Sequence, residues 1–388
     1  GDDEINDLAV DASGNIYVTG TTDRDASLLV NNDFLTLKYD AAGNILWQQQ
    51  FNGTANADDK AYSLTLDPNA NVYITGKTFN GTDYDIQTTM YATSNGTQVW
   101  STAYTSNLGD DVPVKIKTDA SQNVIVGAKS DRDATAATNV DFLVIKYNSS
   151  GTQQWAKLYN GTGNGDDDLN NLTVDATGNI YAVGSIDADT SAGVNFDYAT
   201  VAYNTSGTLL WDSTFNGAAN GIDAAYGVAV DVNGNIYVTG ESNQGTVLVK
   251  NNNIVTVVYS TSGAPAQYYS YDGPINLSDG GNAVLFDNTG LYVTGFATNT
   301  VVEQKDFLTM KYGISTGINE ISSENKLIVY PNPVKANAQL RFVLNAPFES
   351  ASCCLLDVLG NTVGTATRLQ TRWRRTRVHH GADGDVHC

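Results

Sequence analysis

Three features of the chain predict an all-β fold, a β-propeller of four-stranded blades. The first is a seven-residue phrase, Gly14-Asn-Ile-Tyr-Val-Thr-Gly20, which returns unchanged at Gly234–Gly240. Altered copies stand at Asn71–Gly76, Asn123–Gly127, Gly178–Gly184 and Gly290–Gly295. The second is the period. Between the tyrosine slots (Tyr17, Tyr73, Ile125, Tyr181, Tyr237, Tyr292) the steps are 56, 52, 56, 56 and 55 residues. Each unit is therefore a supersecondary block that completes its core only against its neighbours. The third is the division of every unit into four short β-branched and aromatic runs joined by Asx-Gly turns, an antiparallel hairpin signal. A β-solenoid would show a period of roughly 20–30 residues and no hairpin turns.

Within the first unit, strand one is Ile5–Asp11, small and alternating, followed by the turn Ala12-Ser-Gly-Asn15. Strand two is Ile16–Thr19. A longer polar loop leads to strand three, Asp33–Tyr39, then the turn Asp40-Ala-Ala-Gly-Asn44 and strand four, Ile45–Phe51. Trp47, Trp100, Trp155 and Trp211 share one slot of strand four, with Tyr268 in the fifth unit. The strand-three tyrosine recurs as Tyr39, Tyr91, Tyr147, Tyr203, Tyr259 and Tyr312. Rings at one place in every sheet fill the wedge between radial sheets, each burying on the order of 150–250 Å². An exposed aromatic ladder for sugars is the functional alternative; periodic rings inside strands read as core.

These residues carry a resemblance. The series Asp-x-x-Gly-Asn-Ile-Tyr-Val-Thr-Gly, Asp-Phe-Leu-Thr-Leu-Lys-Tyr and Gly-x-x-x-Trp resembles the SBBP β-propeller repeat family over residues 1 to about 313. The resemblance implies a seven-bladed disc. Six first strands are visible but only five fourth strands, and Gly1–Asp11 overlays Gly165–Asp175 deep inside a unit. The fourth strand owed to the sixth unit, with a further blade, is thus expected upstream of Gly1.

Past Tyr312 the rhythm stops. Residues 314–326 are polar and read as a linker. Leu327-Ile-Val-Tyr-Pro-Asn-Pro333, Gln339–Leu344 and Cys354–Asn361 suggest a small β-sandwich. Residues 327–367 resemble the type A sorting domain of the bacterial type IX secretion system, incomplete here. That implies the type IX machinery as a partner and a secreted or outer-membrane surface location. Residues 368–388 hold five of the chain's eight arginines and all three histidines, and read as an aberrant, frameshifted tail. A metal site at His379, His380 and His387, or a basic binding patch, is weighed against that reading and set aside.

Composition narrows the function. A formal charge of −21 repels phosphate backbones, which argues against a nucleic-acid partner. No run approaches 18 apolar residues, so no transmembrane helix is expected. Cys353, Cys354 and Cys388 all lie outside the repeats; the adjacent pair reads as small buried residues rather than a vicinal disulfide. The repeats hold no histidine or cysteine, which excludes Ser-His-Asp and Cys-His nucleophilic sites there.

Hairpin connectivity sorts the loops onto two faces, with the long two-to-three and four-to-one loops together. Those loops carry Asp23 and Asp25, Asp131 and Asp133, Asp187 and Asp189, and also Asp58-Asp59, Asp110-Asp111 and Asp166-Asp167-Asp168. One rim is expected to be strongly negative. The Asp-x-Asp pairs are candidate calcium ligands, because hard cations take several carboxylate oxygens; solvated turn aspartates are the alternative. The resulting expectation is a secreted or surface-displayed binding or adhesion module for an extracellular glycan or protein. The alternative is an extracellular propeller enzyme, either a polysaccharide hydrolase or lyase or a quinoprotein-like oxidoreductase.

Overall fold

The computed structural model describes residues 3–23, 31–132, 139–163, 165–188, 195–218, 220–245, 251–275, 277–287, 289–299 and 304–313. In the C-terminal part it describes 327–330, 341–344, 351–353, 367–369 and 385–387. The chain divides into two units, Gly1–Asp306 with Met310–Tyr312, and Phe307–Thr309 with Gly313–Cys388.

The repeats form six antiparallel sheets, each built from consecutive strands. Blade one is β1 (Asp3–Val10), β2 (Ile16–Asp23), β3 (Asn32–Tyr39) and β4 (Ile45–Phe51). Blade two is β5 (Lys60–Leu66), β6 (Val72–Phe79), β7 (Tyr84–Tyr91) and β8 (Gln98–Tyr104). Blade three is β9 (Asp111–Thr118), β10 (Val124–Asp131), β11 (Val140–Tyr147) and β12 (Gln153–Tyr159). Blade four is β13 (Asp168–Val174), β14 (Ile180–Asp187), β15 (Phe196–Tyr203) and β16 (Leu209–Phe215). Blade five is β17 (Asp223–Val230), β18 (Ile236–Asn243), β19 (Asn252–Tyr259) and β20 (Pro265–Tyr271). Blade six has three strands, β21 (Gly280–Asp287), β22 (Gly290–Thr298) and β23 (Lys305–Tyr312). First strands lie side by side in chain order, and the Lys115 ammonium of blade three reaches Asp7 of blade one at 3.0 Å. Such a link closes only if the sheets turn about a common axis. The architecture is that of a β-propeller.

The recurring phrase works as a knot. Asp11 Oδ1 accepts the Ser13 and Asn15 amides, both at 2.9 Å, while Oδ2 accepts the Asn15 amide group at 2.8 Å and the Tyr17 hydroxyl at 3.0 Å. Asp67, Asp175 and Asp231 repeat the pattern with Tyr73, Tyr181 and Tyr237. Blade three has Ile125 in the tyrosine slot. There the buried Lys146 pairs with Asp119 at 2.9 Å, so a cation does the work of the missing hydroxyl.

Strand two runs to Asp23, four residues past the expected end at Thr19, because β1 and β3 pair with it along its whole length. Every first strand also carries a β-bulge, which the regular alternation read from sequence does not contain. The register skips one residue per blade: Asn6, Tyr62, Val114, Asn170, Tyr226 and Asn282. The bulge explains the glycine that ends the phrase. A Cβ at Gly20, Gly184, Gly240 or Gly295 would overlap the carbonyl oxygen of Glu4, Asp168, Ala224 or Gly280, which the bulge pushes across the sheet.

Blades interlock through strand four, as the aromatic spacing predicts. The indole N–H of Trp47, Trp100, Trp155 and Trp211 donates to the carbonyl of Thr93, Ser149, Thr205 and Thr261 in the next blade, at 3.0–3.2 Å. Each ring meets the next blade's strand-three tyrosine, as in Trp211–Tyr259 at 5.8 Å between centres. Each also rests on a turn glycine of that blade, Gly96, Gly151, Gly207 or Gly263, where a Cβ would strike the indole. Leu169 and Leu172 of β13 are 0% and 1% exposed against blade three, whereas the matching Ile5 and Leu8 of β1 are 69% and 60% exposed.

In the second unit, β24 (Leu327–Tyr330) pairs antiparallel with β25 (Arg341–Leu344), where sequence places strands. Two strands, β26 (Ala351–Cys353) and β27 (Thr367–Leu369), form a pair, and β28 (Asp385–His387) adds to β25. The strand expected after Cys354, the linker and His379-His380 lie outside the described residues.

Gly184→Ala is expected to lower stability by about 2–4 kcal/mol, since backbone has to move to admit the methyl. Gly313→Ala, with open space around it, is expected to stay within roughly 0.5 kcal/mol. Denaturant midpoints would measure both. Trp47→Ala is expected to cost about 3 kcal/mol by the same readout.

Candidate functional site

Sequence places the acids of the long loops on one strongly negative rim; the structure buries the second acid of Asp58-Asp59, of Asp110-Asp111 and of Asp166-Asp167-Asp168, and the matching acids of blades five and six. Asp59, Asp111, Asp167, Asp223 and Asp279 are at most 1% exposed. Four of these carboxylates bridge two backbone amides, and Asp111 bridges an amide and a hydroxyl. In blade five, Asp223 Oδ2 accepts the Gly217 amide and Oδ1 the Asn243 amide, both at 2.8 Å. Asp59 joins Gly53 to Phe79, Asp167 joins Gly161 to Asp187, and Asp279 joins Gly273 to Thr298. Asp111 takes the Ser106 amide at 2.6 Å and the Ser130 hydroxyl at 2.5 Å. The loop leaving one blade is thereby fastened to the end of the next blade's second strand. Burial pushes these carboxyls upward despite the donors, Asp167 to about 7 and Asp59 and Asp279 to about 6.

Of the candidate calcium ligands, Asp23, Asp131 and Asp187 close β2, β10 and β14. Asp25, Asp133 and Asp189 lie outside the described residues. The three described aspartates sit in separate blades and are not brought together. Each keeps local company. The Asp131 amide donates to the Asp110 carbonyl at 2.9 Å, and the Asp187 amide to the Asp167 carboxylate at 2.9 Å. Among the described residues, no three Asp, Glu, His or Cys side chains gather to hold a metal ion.

On this same face, blades two, three and four enclose a cleft of about 470 Å³. Its wall is part apolar (Val112, Pro113, Val114, Val140, Leu169) and part polar (Tyr62, Asp110, Lys129, Asp131, Asp168, Asn170). Three of these, Tyr62, Val114 and Asn170, are the bulged residues of β5, β9 and β13. The bulge takes one side chain per first strand out of the sheet's alternation, and in blades two, three and four that side chain lines the cleft. Lys129 bonds Asp168 across the blade boundary at 2.7 Å, and Asp110 Oδ1 accepts the Tyr84 amide at 3.0 Å. Sequence reasoning missed the cleft, although it singled out Asp110, Asp131 and Asp168 as loop acids. The signal was available. In first strands the large apolar residues are three apart, Ile5/Leu8 and Leu169/Leu172, where unbroken alternation spaces them by two.

A propeller built of repeated four-stranded blades is the class that this geometry defines. The beta-propeller repeat family, SBBP, matches the chain at residues 1–25, 46–85 and 217–245. No curated protein matches it. Among solved structures, the chain is similar to an ulvan lyase of polysaccharide lyase family PL25, with TM-score 0.48 and 13% identity, covering 79% of this chain and 78% of that one. It is similar to a protein from Lactobacillus plantarum at TM-score 0.45 and 15% identity, covering 91% and 95%. An endo-arabinase from Bacteroides thetaiotaomicron gives 0.39 and 12%, covering 81% and 95%. At these scores the likeness carries no argument about activity.

Asp223→Ala would leave the Gly217 and Asn243 amides without an acceptor and is expected to cost about 2–4 kcal/mol. Hydrogen exchange at those two amides should rise more than at the strand centres.

Proposed function

We propose that the propeller is a binding module, secreted or displayed at the cell surface, whose cleft between blades two and four takes an extracellular glycan. The observation that carries this reading is the cleft's composition. Tyr62 offers a ring face and Val112, Pro113 and Val114 an apolar floor, suited to the C–H faces of a sugar. Asp110, Asp131, Asp168 and Asn170 supply acceptors and a donor for hydroxyl groups. Polar groups on an apolar wall set orientation, while the wall supplies burial. A rigid scaffold with unequal loops suits recognition, because the sheets hold the loop residues in place. Export by the type IX route through residues 327–367 completes the proposal; a chain lacking 327–388 should then be retained inside the outer membrane.

Glycan-array screening followed by calorimetry tests the binding. Tyr62→Ala and Asp168→Asn are expected to weaken binding at least about tenfold, roughly 1.4 kcal/mol, with unchanged melting temperature. Absence of any glycan binding by the wild-type protein would defeat the reading, and turnover of a bound polysaccharide would replace it with an enzymatic one.

A further inference from the structure

A second series of acids runs through the blades, one residue after the start of strand three. Asp33 of β3, Asp85 of β7, Asp141 of β11 and Asp197 of β15 are 4–9% exposed, and blade five has Asn253 of β19 in the same place at 7%. In blades three and five cross-strand pairing puts this residue in one row with its own blade's first-strand acid. Asp111, Ser130 and Asp141 align across blade three, and Asp223, Ser242 and Asn253 across blade five. In all five positions the side-chain Oδ1 is buried and has no hydrogen-bond partner. An orphan Oδ1 makes burying the ionised carboxylate costlier than burying its neutral acid, although Oδ2 accepts from Gln50 in Asp33 and from Asn80 in Asp85.

The groups around these carboxyls make ionisation harder still. Asp197 feels Asp223 from β17, and Asp223 feels Glu241 from β18. Asp59 feels Asp33 and Asp58, Asp33 feels Asp23, and Asp279 feels Asp272. Arg132 beside Asp141 is the exception, and it offsets only part of the burial there. Asn253 shows that the fold accepts a group that never ionises, with the same burial and the same orphan oxygen.

We propose that the buried strand-three aspartates Asp33, Asp141 and Asp197, at the blade junctions, form a proton-operated clamp: in mildly acidic surroundings they hold protons and tighten the blades, and above neutrality they ionise and loosen them. The direction follows from linkage. A carboxyl that binds its proton more strongly folded than unfolded contributes stability that is full below the unfolded value, about 4, and lost as pH rises through the folded one. Asp197 is pushed up to about 7 and Asp141 to about 6, by burial first. The loss of stability therefore runs from about pH 4 to about pH 7 and is complete by about pH 8. Turn aspartates such as Asp11 and Asp175 titrate below their usual range and act only in stronger acid.

Thermal melting of the full chain between pH 5.5 and pH 8.5 tests the clamp. The wild-type protein is expected to melt at least about 3 °C higher at pH 5.5 than at pH 8. Asp197→Asn should raise the melting temperature at pH 8 and flatten the profile. The reverse change, Asn253→Asp, should lower it at pH 8 and steepen the profile. A wild-type curve that is flat or falls in acid would overturn the proposal, as would an Asp197→Asn protein less stable at pH 8. Calcium that raises the wild-type melting temperature at pH 8, but not that of Asp197→Asn, would put a cation where the proton is proposed and overturn it too.

Discussion

Blades two, four, five and six are each tied to the one before by a carboxylate held between two backbone amides, and the loop face depends on that tie. Asp223 reaches back to Gly217 and forward to Asn243, residues that belong to different hairpin connections. Because the carboxylate sits where two blades and two loops meet, it fixes where the four-to-one loop leaves and where the second strand stops. Serine does part of this work in blade three, where Ser106 and Ser130 hold Asp111. The indoles lock the opposite, outer part of the same boundary. The two fastenings are independent in sequence and complementary in space.

The knot at the other end of the blade is chemically different. Asp11 and Asp175 are held by hydrogen bonds from turn amides, an asparagine and a tyrosine, and these outweigh burial, which acts upward, so the two carboxyls titrate below their usual range. The blades thus carry aspartates pushed in opposite directions at their two ends, Asp11 and Asp175 downward by their donors and Asp167 and Asp197 upward by burial. Blade three shows that the charged end tolerates a change of partner, lysine for tyrosine, provided the carboxylate remains satisfied.

Much of the scaffold was legible in the chain. The phrase with its tyrosine, the Asx-Gly turns and the tryptophan slot each obey a local rule, so period and alternation located the strands to within a few residues. The buried carboxylates were not legible, because the amides that neutralise Asp59 come from Gly53 and Phe79, six residues behind and twenty ahead. An Asp-Asp pair in a loop looks solvated until those partners are known. The cleft escaped for a related reason: Tyr62, Val114 and Asn170 come from three units and meet only when the blades turn about the axis. The bulge that presents them did leave a trace, in apolar residues spaced by three.

That bulge has an evolutionary consequence. A residue slipped out of register is excused from the pairing rules on both of its neighbours, so its identity is weakly constrained by the sheet. The six blades use the freedom, with asparagine, tyrosine, valine, asparagine, tyrosine and asparagine at one and the same height. Three of these residues, Tyr62, Val114 and Asn170, stand in the wall of the cleft, where one exchanged residue rewrites the lining while the pairing of the strands stays intact.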